Sequence, residues 1–444
     1  MSLGDVLRSL HADIHGQIEA VQRILAELGT GSRRTAYPTP EPESSNPSSR
    51  VLIVGAGVGG LALAQGLRRA GVQFHVFERD LQLATQHKSH RLRIDADGVS
   101  ALKEILSPQL WTKFERTCAG TTILETDIDA IRGKLTGSRI GNRKGGATYT
   151  ADRNVLKGIL STGVDQNMTY GKHFIDYNFT DKGVVVNFLD GTSEEGAILV
   201  GADGKASRVR EQYLPSHIPI KTDGCCISGK TPWTNDITEQ YPGRPTKGMT
   251  FVMDGRSASS DPGASAASFL VIEPIRFRRN KYQDEVPRDY LFWVLVCMKG
   301  SFGIPEDQFL TMPNEEAAQL CLQVTQDWNP KMRAVLEHQD VTQTFSMRLS
   351  TIASEIKPWP ASERTTLVGD AVHFTSPISN GGANAALRDA AELSRKLSQE
   401  EFSVQAIGEF ESQMRGRVKR QFQANSGIIN RMSGRMRTAE ASRS

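Results

Sequence analysis

The fold is decided by residues 51–63, which read Val51-Leu-Ile-Val-Gly55-Ala-Gly57-Val-Gly59-Gly60-Leu-Ala-Leu63. A short apolar run precedes the glycines, and an apolar pattern with helical spacing follows them from Leu61 to Ala70. Gly71 ends this helix, and residues 72–78 then alternate as a second strand. The order strand, helix, strand predicts a βαβ unit and an α/β fold of the Rossmann-like kind.

Each glycine of the GxGxxG pattern has a physical reason. Gly55 permits the tight turn, Gly57 lets the backbone approach a pyrophosphate, and Gly60 lets helix and strand pack closely. The phosphates are expected at the positive end of the helix dipole, against free N–H groups. Glu78 ends the second strand, where its carboxylate can accept hydrogen bonds from ribose hydroxyls. The unit predicts a dinucleotide site but does not distinguish FAD from NAD.

Two later stretches, each after a predicted strand, carry aspartate and glycine motifs. Residues 199–210 read LVGADGKASRVR and contain Asp203. Residues 366–377 read TLVGDAVHFTSP and contain Asp370, which can bond a ribityl hydroxyl. Residues 380–390 read NGGANAALRDA and begin a predicted helix. The glycines and Asn384 allow the N-terminus of this helix to approach a flavin ring, where its dipole favours developing negative charge.

In this order and spacing, the stretches resemble the GxGxxG, DG and GD motifs of the single-component (group A) FAD-dependent aromatic hydroxylases and monooxygenases. That family includes relatives of p-hydroxybenzoate hydroxylase and many monooxygenases of secondary metabolism. The resemblance covers Arg50 to about Ser398. It implies a Rossmann-like FAD-binding domain of the GR2 type, with a substrate domain built on an inserted β-sheet.

The resemblance also implies which residues bind FAD, which is expected to be held non-covalently. Arg153 matches an arginine of the family that reaches the FAD, and Asp203 matches the DG aspartate, which serves both FAD and NAD(P)H. Residues 377–384 would line the isoalloxazine. The complete expected set is Gly55, Ala56, Gly57, Gly59, Gly60, Glu78, Arg79, Arg91, Arg153, Asp203, Asp370, Gly382, Ala383 and Asn384.

The function implied by the resemblance is that of a monooxygenase acting on a small apolar or aromatic metabolite. NADPH or NADH would be the transient electron donor, and O2 would react through a flavin C4a-(hydro)peroxide to hydroxylate or epoxidise the substrate. Because the cofactor supplies the chemistry, no side-chain acid or base is required. Pro377 and His373 are the catalytic candidates, and His373 is expected to pack against or hydrogen-bond the cofactor loop.

Other functions remain open alternatives. An FAD-dependent reductase or dehydrogenase could use the same fold, and a redox-silent flavin-binding scaffold could act through the N-terminal helix. A halogenase is disfavoured, since no two of the five tryptophans are two residues apart as a WxWxIP element requires.

The expected division of the chain follows these motifs. The ranges are an N-terminal amphipathic helix at 1–29, a flexible Pro- and Ser-rich linker at 30–49, a discontinuous FAD-binding domain at 50–225 and 340–400, a substrate domain at 226–339, and a C-terminal helix with a basic tail at 401–444. The basic residues from Arg415 to Arg437 predict a solvated helix face and a frayed tail. Helices are also predicted at 314–327, 383–398 and 404–426.

The N-terminal helix carries one apolar stripe, with Leu3, Leu7, Leu10, Ile14, Ile18, Val21, Leu25 and Leu28 at steps of three and four. Docking on its own chain is favoured over a dimerisation helix, because the pattern spans fewer than about four clean heptads. A homodimer formed through this helix stays an alternative.

Composition narrows the class of protein further. The chain has 53 Lys+Arg against 50 Asp+Glu, and a net charge of +3 gives no reason to expect a nucleic-acid partner. Its five cysteines form no CxxC pair, which favours reduced thiols, no metal site and a cytoplasmic location. No apolar run is long enough to predict a membrane span. A small-molecule substrate and O2 are the expected partners.

Overall fold

The structure is a computed structural model that describes residues 50–82, 91–121, 124–140, 148–241, 247–254, 268–279, 281–298, 302, 304–351, 356–374, 381–399 and 402–437, without the side chains of 221–223, 350–351 and 424–437. All of these residues belong to one compact unit, Asn46–Ser444. The predicted N-terminal helix, the linker and Pro377 lie outside the described residues.

The described strands are, in chain order, β1 (Val51–Val54), β2 (Phe74–Phe77), β3 (Arg91–Ile94), β4 (Leu124–Asp129), β5 (Leu135–Ile140), β6 (Tyr149–Asp152), β7 (Met168–Thr169), β8 (Phe174–Phe179), β9 (Val184–Phe188), β10 (Ser193–Gly196), β11 (Ile198–Gly201), β12 (Ile220–Pro232), β13 (Met249–Met253), β14 (Ser268–Ile275), β15 (Tyr290–Met298), β16 (Phe345–Thr351) and β17 (Thr365–Leu367).

The described α-helices are α1 (Val58–Ala70), α2 (Ala96–Ile105), α3 (Pro108–Thr117), α4 (Arg153–Ser161), α5 (Arg208–Tyr213), α6 (Asn235–Gln240), α7 (Glu306–Thr311), α8 (Asn314–Val324), α9 (Pro330–Glu337), α10 (Asp370–His373), α11 (Gly382–Gln399) and α12 (Val404–Arg437). No helix in the part of the chain that the structure describes is long and apolar enough to cross a membrane.

A five-stranded parallel sheet, in the order β17-β11-β1-β2-β7, forms the nucleotide-binding core. All four residues of β1 are buried, as expected for a central parallel strand covered on both faces. The helix α1 ends at Gly71, which has φ +74° and donates its N–H to the carbonyls of Arg68 and Leu67. The predicted βαβ unit is therefore confirmed.

A second, seven-stranded sheet has the order β16-β12-β15-β14-β13-β4-β5, with β13 and β4 parallel and the other pairs antiparallel. Its strands extend beyond 226–339, the range expected for the substrate domain. The pair β4–β5 and the strand β16 come from residues assigned to the FAD-binding domain. The division into domains stays a prediction, and these strand partners show where its boundaries would move.

The two faces of this sheet pack against different surroundings. Trp293 is fully buried in an apolar cluster with residues of helices α6 to α9, and its indole N–H donates to Thr231 Oγ1 at 3.1 Å. Tyr290 and Phe292, at alternating positions of the same strand, belong to a different cluster. Tyr290 and Phe292 contact residues of β6 and β3, respectively, so this face is turned toward the two-stranded sheet β3–β6.

Two glycines in the first turn of α1 provide a test of this packing. A Cβ at Gly60 would lie 2.0 Å from the carbonyl oxygen of Gly55, whereas a Cβ at Gly59 would make ordinary contact, 3.5 Å from Ala386 Cβ. We expect Gly60→Ala to destabilise the FAD-free protein by about 2 kcal/mol or more, because backbone must move. Gly59→Ala is the control and should be neutral or stabilising by up to about 1 kcal/mol, since alanine favours a helix. Urea unfolding measures both, and equal losses would contradict the packing argument.

Candidate cofactor site

Four parallel strands end at one edge of the five-stranded sheet, and a predicted motif follows each of them. Gly55 follows β1, Glu78 follows β2, Asp203 follows β11, and Asp370 follows β17. Parallel strands present their carboxyl ends at the same edge, which is where α/β sheets bind ligands. The fold thus gathers residues that are more than 300 positions apart in the sequence.

The turn after β1 has the geometry of an anion site. Gly55 has φ +108°, a conformation that favours glycine, and its N–H donates to the carbonyl of Phe77 at 2.8 Å. The helix α1 begins after Gly57 without a side-chain cap and without an acidic residue in its first turn. A Cβ added at Gly57 would meet only the Ala202 carbonyl oxygen, 3.9 Å away. The positive end of α1 therefore faces open space, which fits a pyrophosphate.

Glu78 is buried beside this turn. Its Oε2 accepts the N–H of Ala56 at 2.7 Å, and its Oε1 accepts the N–H of Asp80 at 3.1 Å. A carboxylate oxygen can accept more than one hydrogen bond, so the oriented group retains capacity for ribose hydroxyls. The next residue differs: the Arg79 side chain is 69% exposed and lies 3.8 Å from Asp80. Its role in cofactor binding stays a prediction.

Arg153 connects the first and last motifs. It is the first residue of α4, which Asp152 caps by accepting the N–H groups of Asn154 and Val155. Burial lowers the pKa of the Arg153 guanidinium, whereas the carboxylates of Asp370, Asp152 and Glu78 raise it. These electrostatic interactions link the Arg153 guanidinium to Asp370 and Glu78, two residues of the predicted cofactor motifs.

Asp203 and Asp370 each present an acceptor that the described residues do not use fully. Asp203 Oδ2 accepts the N–H of Arg208 at 2.9 Å, whereas its buried Oδ1 has no hydrogen-bond partner among the described residues. Burial raises the pKa of both carboxyls, yet the Asp370 side chain remains accessible to solvent. Both groups fit the hydroxyl or amide donors of a nucleotide cofactor.

The start of α11 is tied to the end of β3. Asn384 is buried; its Nδ2 donates to the Arg93 carbonyl at 2.9 Å, and its Oδ1 accepts the N–H of Asp95 at 3.1 Å. Gly382 and Ala383, which precede it, are half-buried. The predicted approach of this helix terminus to the flavin ring is compatible with their accessibility, and the assignment stays a prediction.

Arg91 takes part in an ion pair that the sequence did not indicate. Its Nε lies 2.5 Å from Glu273 Oε2 on β14, and Arg93 contacts the other oxygen of the same carboxylate. Burial raises the pKa of Glu273. Arg91 and Arg93 lower this pKa by more than burial raises it, so it lies below its usual value. Arg91 also lies over the Phe292 ring at 5.3 Å. The predicted cofactor contact of Arg91 thus competes with a buried contact to the seven-stranded sheet.

A second polar cluster, formed by Asp152, Lys230 and Tyr290, was also not predicted. Lys230 Nζ lies 3.1 Å from Asp152 Oδ2, and the Tyr290 hydroxyl donates to the same oxygen at 3.2 Å. Lys230 Nζ also lies 4.4 Å from the centre of the Tyr290 ring. The local signal in the sequence is the alternation of aromatic and apolar residues on β15, and this pattern is compatible with core packing as well as with pocket lining.

His373 lies in α10 and pairs with Asp389 of α11. Its Nε2 contacts Asp389 Oδ2, which also accepts the N–H of Gly369 at 3.0 Å. Burial lowers the pKa of His373 and Asp389 raises it, with a net shift above the usual value. Burial raises the pKa of Asp389 and His373 lowers it, with a net shift below the usual value. The His373–Asp389 pair therefore links α10 to α11 and braces the GD turn.

The sheet and the site define an FAD-binding α/β protein with a Rossmann-like domain. The chain matches the NAD(P)-binding Rossmann-like domain family over residues 53–114 and the FAD binding domain family over residues 326–404. The second match identifies FAD as the cofactor.

Similar proteins of known name agree with this class. The chain is 37% identical over 388 residues to the dual O-methyltransferase/FAD-dependent monooxygenase elcB of Phaeosphaeria nodorum, with 81% of this chain and 42% of that protein covered. It is 26% identical to the FAD-dependent monooxygenase phnB of Penicillium herquei, with 84% and 89% covered. The chain therefore spans less than half of its dual-function relative.

Solved structures share the fold. A Photorhabdus luminescens protein assigned as an FAD-containing monooxygenase has a TM-score of 0.71 and 26% identity, with 88% of this chain and 99% of that chain covered. Klebsiella pneumoniae HpxO with FAD and uric acid has a TM-score of 0.66 and 18% identity, with 88% and 92% covered, which shows the fold alone. The chain is therefore similar to FAD-dependent monooxygenases over most of its length, and the predicted fold class is confirmed.

Glu78 provides a test of the site. We expect Glu78→Gln to weaken FAD binding by about tenfold or more, because the amide NH2 would face the N–H of Ala56 or Asp80 and leave a donor unpaired. Glu239→Gln, on the exposed surface of α6, is the charge-matched control and should bind FAD like the wild type. Quenching of flavin fluorescence gives both dissociation constants. An unchanged constant in Glu78→Gln would remove this residue from the site.

Proposed function

We propose that the chain is an FAD-dependent monooxygenase that uses NADPH or NADH and O2 to hydroxylate or epoxidise a small apolar or aromatic metabolite. The observation that best supports this proposal is that Gly55, Glu78, Asp203 and Asp370 all follow parallel strands that end at the same edge of the five-stranded sheet.

The residues of this chain are proposed to bind and orient the cofactor. When bound, FAD supplies the redox chemistry with O2. The N-terminus of α1 and Arg153 would hold the pyrophosphate, Glu78 the adenosine ribose, and Asp370 the ribityl chain. The start of α11 would lie at the flavin ring, where its positive end stabilises negative charge. Gly55, Ala56, Gly57, Gly59, Gly60, Arg79, Arg91, Asp203, Gly382, Ala383 and Asn384 complete the proposed set.

The substrate is proposed to bind at the face of the seven-stranded sheet that carries Tyr290 and Phe292. This face combines an apolar aromatic surface with the Lys230 ammonium and the Tyr290 hydroxyl, which are suited to a ring that bears a hydroxyl or acidic group. The relative elcB combines a monooxygenase with an O-methyltransferase, an activity that requires hydroxyl groups. A phenolic metabolite of secondary metabolism fits both observations. A cytoplasmic location and a homodimer formed by the N-terminal helix also stay predictions.

The direct test is a screen of candidate aromatic metabolites with the purified, FAD-loaded protein. We expect the true substrate to stimulate NAD(P)H oxidation and O2 uptake, and its product to gain one oxygen atom from ¹⁸O2 by mass spectrometry. A product without oxygen from O2 would favour the reductase or dehydrogenase alternative. FAD that NAD(P)H does not reduce with any candidate would favour a flavin-binding scaffold.

The cluster of Asp152, Lys230 and Tyr290 predicts variants that change the KM for the substrate without changing the affinity for FAD. We expect Tyr290→Phe, which keeps the ring and removes the hydroxyl, to raise KM by about tenfold, because a site that bonds a polar substrate group loses affinity when its partner is removed. FAD affinity should stay within about twofold of the wild type. Lys230→Met should also raise KM. Its control is Lys331→Met, at an exposed position of α9, which should leave KM unchanged. An unchanged KM in both Tyr290→Phe and Lys230→Met would place the substrate elsewhere.

A further inference from the structure

The helix α12 lies beyond the region of family resemblance, yet one of its faces is part of the core. Ile407, Phe410, Met414 and Val418 are buried at successive helical turns. The first three belong to the apolar cluster of the parallel sheet. The sequence predicted a solvated face for the basic residues that follow. The structure shows that the apolar face of this helix packs against the protein interior up to Val418, while Lys419 and Arg420 are exposed.

Arg417 is directed at the support of the GD turn. Its Nη2 lies 3.0 Å from Asp389 Oδ1, and its Nη1 contacts the Glu392 carboxylate. Asp389, which is 1% exposed, accepts the N–H of Gly369 with its other oxygen and pairs there with His373. The Arg417 guanidinium is therefore linked through one residue, Asp389, to the backbone of Gly369, which directly precedes Asp370.

Gln421, one helical turn after Arg417, contacts the other end of the same segment. A Cβ added at Gly381 would lie 1.6 Å from Gln421 Nε2, so the amide occupies the space next to the Gly381 backbone. Gly381 directly precedes α11, whose first residues are the proposed neighbours of the flavin ring. Arg417 and Gln421 thus act on the two ends of the segment from Gly369 to Gly382.

We propose that α12 is part of the cofactor site, with Arg417 and Gln421 as positioning residues that hold Asp370 and the start of α11 in the geometry that receives FAD. This inference rests on the proposed placement of the ribityl chain at Asp370 and of the flavin ring at α11. Arg417 acts through Asp389 and Gly369, and Gln421 acts through the backbone of Gly381. Neither residue needs to touch the cofactor.

The energetic basis is the burial of the Asp389 carboxylate between His373 and the Arg417 guanidinium. A buried carboxylate is stable only when it is paired and hydrogen-bonded, and Asp389 has His373 on one oxygen and Arg417 on the other. Without Arg417, Asp389 and Glu392 would both lose an ionic partner. The acceptor of the Gly369 N–H would then be less firmly oriented, and Asp370 with it.

The test compares Arg417→Met, Arg417→Lys and Gln421→Ala with the wild type, using the FAD dissociation constant and the midpoint potential of the bound flavin. We expect Arg417→Met to weaken FAD binding by about tenfold or more. Arg417→Lys should recover part of the loss, because a single ammonium keeps the charge but does not reach both carboxylates with the same fork. Gln421→Ala should weaken binding by about threefold.

The midpoint potential of the bound flavin should shift to more negative values in Arg417→Met and in Gln421→Ala, because a displaced positive end of α11 stabilises the reduced flavin less. Arg420→Met, at an exposed position of the same helix, removes the same charge and should change neither quantity. These readouts separate positioning from mere bracing, because loss of bracing would lower the unfolding temperature without changing the potential.

FAD affinities within about twofold of the wild type and unchanged potentials in Arg417→Met and Gln421→Ala would overturn the inference, whatever their unfolding temperatures. If Arg417→Met does not fold, Arg417→Lys and Gln421→Ala decide the question by the same criteria. Because no turnover is required, a wild type that fails to oxygenate any substrate would contradict the proposed function and leave this inference standing.

Discussion

The parallel pairing of β1 with β2 on one side and β11 on the other is the constraint on which the site depends. It aligns the carboxyl ends of these strands, and the pairing of β11 with β17 adds a fourth end at the same edge. Peptide groups that follow these ends are no longer used in the sheet and can turn toward a ligand. The hydrogen bond from the Ala56 N–H to Glu78 then locks two of the turns to each other.

Sequence alone predicted the elements whose signals are local. The glycine turn, α1 and β2 are predicted from consecutive residues. The helices α11 and α12 each begin within one residue of the predicted position. The pair Arg91–Glu273 was not predictable, because its members are far apart and an ion pair leaves no periodic pattern. The role of Arg417 was missed for a similar reason: a basic helix face is usually solvated, and only the fold reveals the buried Asp389 opposite it.

Two buried carboxylates join the two-stranded sheet β3–β6 to the seven-stranded sheet. Asp152 of β6 contacts Lys230 of β12, and Glu273 of β14 contacts Arg91 and Arg93 of β3. Such pairs are costly to bury and are weak evidence of stability on their own. Their position at the proposed boundary between cofactor and substrate indicates instead that they define orientation, since each pair is satisfied only in one relative arrangement of β3, β6 and the large sheet.

The dipeptide Asp152–Arg153 shows how this orientation reaches the cofactor. The Asp152 carboxylate caps α4 and contacts Lys230 and Tyr290 of the seven-stranded sheet. The adjacent Arg153 guanidinium interacts electrostatically with Asp152 and also with Asp370 and Glu78, which follow strands of the parallel sheet. Two adjacent residues at one helix terminus thus interact with the proposed substrate face and with the proposed FAD site, which makes the start of α4 an element that both sites share.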